Sequence, residues 1–136
     1  MTKHIKQIFG KRKLDSRRDY ILLSREGITM PIFKKIIDFT GLSTKEISEI
    51  LPISERQLSR YKKDHVLRKD ISSHLIQLVE LYEKGYELFG EEKFQLWIRA
   101  KILVLGNEQP INYLDTSIGI KLIEDIIGRI EHGVYS

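Results

Sequence analysis

Apolar residues recur at steps of three and four along most of the chain, and this pattern predicts an all-α protein. The clearest stretch is 71–89, where Ile71, Leu75, Leu78, Val79, Tyr82, Tyr86 and Phe89 share one face of a core-facing helix that Gly90 ends. Glu91 and Glu92 open the next helix, suited to the positive end of its dipole, with Phe94, Trp97 and Ile98 inward. Gly106-Asn107 marks a turn that tolerates left-handed backbone, and Pro110 opens a short helix through Leu114. A last helix starts near Thr116 or Ser117, carries Ile120, Ile123, Ile127 and Ile130 inward, and ends near Gly133. The front of the chain is patterned more weakly. Residues 1–18 offer only Ile5, Ile8, Phe9 and Leu14 as apolar anchors among many cations, and read as a mobile basic arm. A short helix over 19–26, with Tyr20, Leu22 and Leu23 inward, stops at Gly27; a second starts at Met30-Pro31, turns Ile32, Phe33, Ile36, Ile37 and Phe39 inward, and stops at Gly41.

Two capping boxes sharpen the N-terminal half. Ser43 precedes Glu46 by three residues, and Ser54 precedes Gln57 by three. In each, the serine hydroxyl takes a first-turn N–H while the longer side chain bonds back to the cap. The boxes predict a helix over 44–51, with Ile47, Ile50 and Leu51 inward and Pro52 as its stop, and a second over 55–63, with Leu58 and Tyr61 inward. Short helix, tight turn and short helix make a helix-turn-helix, whose second helix enters the DNA major groove. With Leu58 and Tyr61 inside, Glu55, Arg56, Gln57, Ser59, Arg60, Lys62 and Lys63 are left to face DNA. Arg56 and Gln57 are the types that bond guanine and adenine edges in pairs; Arg60, Lys62, Lys63 and the hydroxyls of Ser43 and Thr44 suit phosphates.

Charge gives this reading a direction. Residues 1–69 hold 17 Lys+Arg against 8 Asp+Glu, a net of +9, whereas 70–136 hold 6 against 11, a net of −5. A cationic half strengthens phosphate contacts through counterion release, and an anionic half is repelled by the same polymer. Nucleic acid therefore belongs to the first half and another partner to the second. With no cysteine the chain has no disulfide, thiolate nucleophile or sulfur-bound metal, and His4, His65, His74 and His132 are scattered. No phosphate-binding glycine loop and no nucleophile elbow occur, so neither an enzyme, a cofactor nor a metal is expected. No run approaches the roughly 20 apolar residues of a membrane span, and the first residues lack a secretory pattern, so a cytoplasmic protein without membrane contact is expected.

The ordered series Trp97-Ile98, Leu105-Gly106, Pro110-Ile111, Leu114, Asp115-Thr116, Gly119 and the closing IIGRIEHGVYS resembles the toxin-binding domain of the Xre/MbcA/ParS antitoxins. The preceding segment TGLSTKEISEILPISERQLSRY is similar to that family's Xre-like helix-turn-helix. The chain departs from the pattern at Lys101-Ile102, where members often have Pro-Asn, and at Asn107, where a second glycine often stands. The resemblance implies an N-terminal Xre-like helix-turn-helix followed by a helical toxin-binding domain. It implies an antitoxin to a RES-domain toxin that consumes NAD or uses it to modify a target. By position, Arg129, Ile130, Gly133, Val134, Tyr135 and Ser136 would form the toxin-binding element at the mouth of the toxin's NAD pocket.

The expected organisation is a basic arm over 1–18, a DNA-binding helix-turn-helix over 19–69 and a toxin-binding domain with an inhibitory tail over 70–136. Its partners are a RES-domain toxin and the protein's own operator DNA, bound as a homodimer because helix-turn-helix proteins usually read two half-sites. The alternative from another class is a stand-alone transcriptional regulator whose C-terminal half dimerises or senses a ligand.

Overall fold

A computed structural model describes residues 3–10, 12 and 14–133. Its helices are α1 (Lys3–Phe9), α2 (Arg17–Glu26), α3 (Met30–Thr40), α4 (Thr44–Ile50), α5 (Glu55–Arg60), α6 (Lys69–Phe89), α7 (Glu91–Trp97) and α8 (Ser117–Glu131). Tight 3-10 turns cover Leu103–Leu105 and Pro110–Tyr113. Strand-like pairing among the described residues is confined to the isolated bridges Thr29–Val66 and Ile102–Glu108. The chain divides into two compact units after Val79, within α6. Charge changes sign near Asp70, where α6 begins, but the packing changes only at Glu80, because the first turns of α6 bury Ile71 and Leu75 in the first unit.

The expected mobile arm is corrected by α1. Ile5, Ile8, Phe9 and Leu14 are all buried, and α1 packs against α3, where the His4 ring lies 5.2 Å from that of Phe39. Three anchors, Ile5, Ile8 and Phe9, are enough to dock this two-turn helix when a partner face is available, and Leu14 fastens the chain after it. Ser16 caps α2 by accepting from the Asp19 N–H at 3.3 Å. Leu23 is buried as the pattern predicts, whereas Leu22 lies 43% exposed, because α2 turns only one narrow stripe inward.

Gly27 then holds φ +97°, and a Cβ there would run into Val66 and the Leu67 carbonyl. That close approach brings two chain segments together: Leu67 N–H donates to the Ile28 carbonyl at 2.8 Å, Ile28 N–H donates to Ser72 Oγ at 2.9 Å, and Ser72 Oγ donates to the Leu67 carbonyl at 3.1 Å. The N–H and carbonyl of both Ile28 and Leu67 thus have partners, as their burial requires. Helix α3 starts with Pro31 in its first turn and ends at Gly41, left-handed with φ +68°. Phe33 and Ile36 are buried, while Ile32, Ile37 and Phe39 are half-buried.

The second unit is built on aromatic packing. Tyr82, Tyr86 and Phe94 meet edge to face with ring centres 5.1–5.8 Å apart, and Phe89 stacks on Trp97 at 5.3 Å. Gly85 makes this possible, because a Cβ on it would overlap the Phe94 ring. Phe94 and Ile98 are fully buried; Trp97 is half-buried. The Ile98 carbonyl accepts from Ile111 N–H at 2.9 Å and the Arg99 carbonyl from Gln109 Nε2 at 2.8 Å, so the loop between them folds back on the end of α7. Within that loop Gly106 and Asn107 both adopt left-handed backbone, at φ +65° and +66°. Asparagine tolerates this left-handed conformation as glycine does, so the turn forms without a second glycine. Ile120, Ile123, Ile126 and Ile127 form the buried face of α8, with Ile130 half-buried.

Candidate functional site

Helices α4 and α5 are only 7 and 6 residues long, too short to hold their shape alone, and the two capping boxes secure both starts. Ser43 Oγ accepts from Glu46 N–H at 3.1 Å while Glu46 Oε1 accepts from Ser43 N–H at 2.9 Å. Ser54 Oγ accepts from Gln57 N–H at 3.1 Å while Gln57 Oε1 accepts from Ser54 N–H at 3.3 Å. Leu58 is buried as its spacing predicts. Ser43, Thr44, Glu55, Arg56, Gln57, Ser59, Arg60, Lys62 and Lys63 are all exposed.

The geometry refines three of these positions. Helix α5 stops at Arg60, and Tyr61 is extended (φ −66°, ψ 131°) and half-buried, so Lys62 and Lys63 stand on the following turn rather than on the helix expected over 55–63. The cause is local: the Tyr61 ring lies parallel to the His65 ring with centres 3.8 Å apart, and His65 N–H donates to the Lys62 carbonyl at 2.9 Å. Gln57 is less suited to adenine than its type implied, since a paired contact uses both ends of the carboxamide and its oxygen already serves the box. Arg56, in the first turn, keeps an exposed guanidinium. In the connector, Arg68 Nε donates to Asp70 Oδ1 at 2.7 Å and holds that carboxyl below the usual carboxylate range.

In the second unit Arg129 is exposed in the last turn of α8, Ile130 is half-buried, and Gly133 follows with φ +78°. Val134, Tyr135 and Ser136 lie outside the described residues. The unit also exposes large apolar side chains that the pattern reading did not single out: Leu96, Leu103 and Ile118, the last two at 84%. A signal was present for Ile118, which falls out of phase with the buried Ile120, Ile123 and Ile127. Among the described residues no cluster of His, Asp and Glu could hold a metal ion, and no helix is long and apolar enough to cross a membrane.

A family model for the antitoxin Xre-like helix-turn-helix domain matches residues 19–80, and one for the antitoxin Xre/MbcA/ParS C-terminal toxin-binding domain matches 84–133. The antitoxin Xre of Photorhabdus laumondii is 30% identical over 114 residues, spanning 82% of this chain and 77% of the relative. The chain belongs to the Xre/MbcA/ParS antitoxin family. The antitoxin Xre of Yersinia enterocolitica is 28% identical over 113 residues, covering 81% of this chain and 76% of that one. A chain from the crystal structure of the Mycobacterium tuberculosis MbcT–MbcA toxin–antitoxin complex shares the fold with a TM-score of 0.58 at 18% identity, over 76% of this chain and 93% of its own. The protein is thus an antitoxin, a binding protein rather than an enzyme, with a helix-turn-helix domain and a toxin-binding domain.

The antitoxin's signature residues prove to be mainly architectural. Thr116 caps α8, its Oγ accepting from Gly119 N–H at 2.9 Å, and any Cβ on Gly119 would collide with the Tyr113 carbonyl. Pro110, buried, opens the 3-10 turn that packs on α8. These residues set where α8 begins and therefore where its far end, with Arg129, emerges.

Proposed function

We propose that this antitoxin neutralises a RES-domain toxin by placing Arg129, Ile130 and the tail of Gly133, Val134, Tyr135 and Ser136 in the toxin's NAD-binding cleft. The observation that carries the reading is the match of residues 84–133 to the family's toxin-binding domain, whose last helix runs to Glu131 and is followed by left-handed Gly133. That glycine lets the chain leave the helix axis, and an aromatic such as Tyr135 is the kind of anchor that dominates interface energetics. The related M. tuberculosis protein was crystallised in a toxin–antitoxin complex, which supports a toxin as the partner.

The same protein binds its operator through α5. Arg56 reads a guanine edge, while Arg60, Lys62, Lys63, Ser43 and Thr44 hold phosphates and fix the register. Two copies bind as a homodimer to two half-sites.

The test is co-expression of the full chain, or a chain lacking residues 133–136, with the RES-type toxin encoded beside it, following cellular NAD. The full chain preserves NAD and the shortened one does not; full protection by the shortened chain overturns the occlusion mechanism. Losing one hot-spot aromatic and its neighbours is expected to weaken toxin binding by about 30-fold or more.

A further inference from the structure

Two cavities lie side by side along α3 and α5, sharing Met30, Lys34, Leu58 and Ser59 in their walls. They differ in charge. The larger, about 430 Å³, also draws Asp38 and Glu55 into its lining, so its one lysine faces two carboxylates. The smaller, about 380 Å³, adds Pro31, Tyr61 and Lys63 instead and has no carboxylate at all. Among the described residues neither Lys34 nor Lys63 forms an ion pair, and both are exposed. Lys34 borders both cavities, but only the smaller one sets a second cation, Lys63, beside it with no carboxylate in the lining, so an anion is favoured there over the larger cavity with its two carboxylates.

We propose that the smaller cavity is a phosphate cradle, in which Lys34 and Lys63 grip a backbone phosphate of the DNA that α5 reads. The proposal rests on the DNA-binding role of α5 and adds to it a residue from α3, outside the helix-turn-helix pair. Its second element is the device that aims Lys63. Tyr61 lines the cavity and stacks on His65, and beyond His65 the chain is fastened by the Thr29–Val66 bridge and the Leu67–Ile28 hydrogen bond. The lysine turn is therefore held at both ends and does not swing freely, which makes Tyr61 and His65 positioning residues for Lys63. A cation carried on a braced turn loses less backbone freedom on binding than one on a loose loop.

Lys35 supplies the control, since it has the same charge, is exposed on the same helix and lines neither cavity. The experiment is fluorescence anisotropy of the full-length protein with a labelled random-sequence duplex, titrated between about 50 and about 200 mM salt. Phosphate contacts do not depend on sequence, so no operator need be known. Each of Lys34→Ala and Lys63→Ala is expected to lower the slope of log affinity against log salt by about 0.9 and to weaken low-salt binding about three- to tenfold, beyond any effect of Lys35→Ala. His65→Ala lowers the slope in part, His65→Phe, which keeps a flat ring for the stack, restores it, and neither adds to Lys63→Ala. Wild-type binding with Lys34→Ala indistinguishable from Lys35→Ala overturns the cradle and leaves the role of α5 standing. A wild-type protein that ignores the duplex at low salt overturns both. A wild-type slope in His65→Ala removes the positioning role.

Discussion

The two units lean on different means of close packing, although each borrows from the other: Gly27 lets Val66 and Leu67 approach in the first, and the Thr116 hydroxyl caps α8 in the second. In the first, short helices and bent connections leave many backbone groups unpaired, and side-chain hydroxyls satisfy them: Ser16, Ser43 and Ser54 at helix starts, Ser72 in the knot beneath Gly27. In the second, helices are brought together by removing side chains. Gly85 admits the Phe94 ring and Gly119 admits the Tyr113 carbonyl. Hydrogen bonds fix direction, which a DNA-reading surface needs; a glycine cut-out fixes distance, which sets where a long helix delivers its end. Substitutions should therefore damage the two units to different degrees and separate the two functions.

The largest effect is expected at Gly119. Valine there drives its side chain into backbone that cannot shift without moving the turn at Pro110–Tyr113, and the cost is about 3 kcal/mol or more. Gly85→Ala should cost less, about 1–3 kcal/mol, because a single methyl meets a side-chain ring rather than backbone. Trp97 is the only tryptophan and sits in the second unit, so its fluorescence during thermal unfolding reports on that unit. Both variants should unfold early by that probe and lose toxin binding while still retarding DNA. Loss of DNA binding in step with the fluorescence would show that the units do not fail independently.

Ser72→Ala attacks the other strategy. It leaves the buried Ile28 N–H and one lone pair of the Leu67 carbonyl without the hydroxyl that joins them, at a cost of about 1–3 kcal/mol. The check is the urea midpoint together with amide exchange at Ile28, which should quicken selectively. Ser54→Ala should follow at about 1 kcal/mol. It opens the box that starts α5, so the expected readout is weaker operator binding with a urea midpoint lowered less than in Ser72→Ala.

These contrasts show what the chain's pattern carried and what it did not. The capping boxes and the apolar spacing along 71–89 and from Thr116 to Gly133 place α4, α6 and α8 to within two residues and fix the start of α5, because caps and amphipathic faces are local signals. The helical arm was illegible, since Ile5, Ile8 and Phe9 gain their meaning only from the face of α3 they meet. The early end of α5 was missed for the same reason: Tyr61 has helical spacing but is drawn off the axis by His65, a contact no periodicity encodes. Among the candidate DNA ligands, all nine are exposed, yet Lys34 was invisible because its relation to Lys63 exists only in space.

The smallest and most specific effect concerns the aromatic nest of the second unit at high pH. Burial pushes the Tyr86 phenol up to about 12 from an ordinary value near 10, even though Gln95 Nε2 donates to its oxygen at 2.6 Å and favours the ionised form. Below pH 10 the phenol is neutral in both folded and unfolded chains, so its contribution is complete there. Between pH 10 and 12 the unfolded chain releases the proton while the folded one retains it, and stability falls as pH rises through that window. Lysines titrate in the same range, so the wild-type melting curve alone is ambiguous. Tyr86→Phe separates the effects: it loses the Gln95 bond and melts slightly lower at pH 8, but its Trp97-detected midpoint should fall less steeply from pH 10 to 12 than the wild type's. Parallel curves for the two proteins would mean that the phenol ionises within the folded unit, and that the nest is open to water where the packing has it closed.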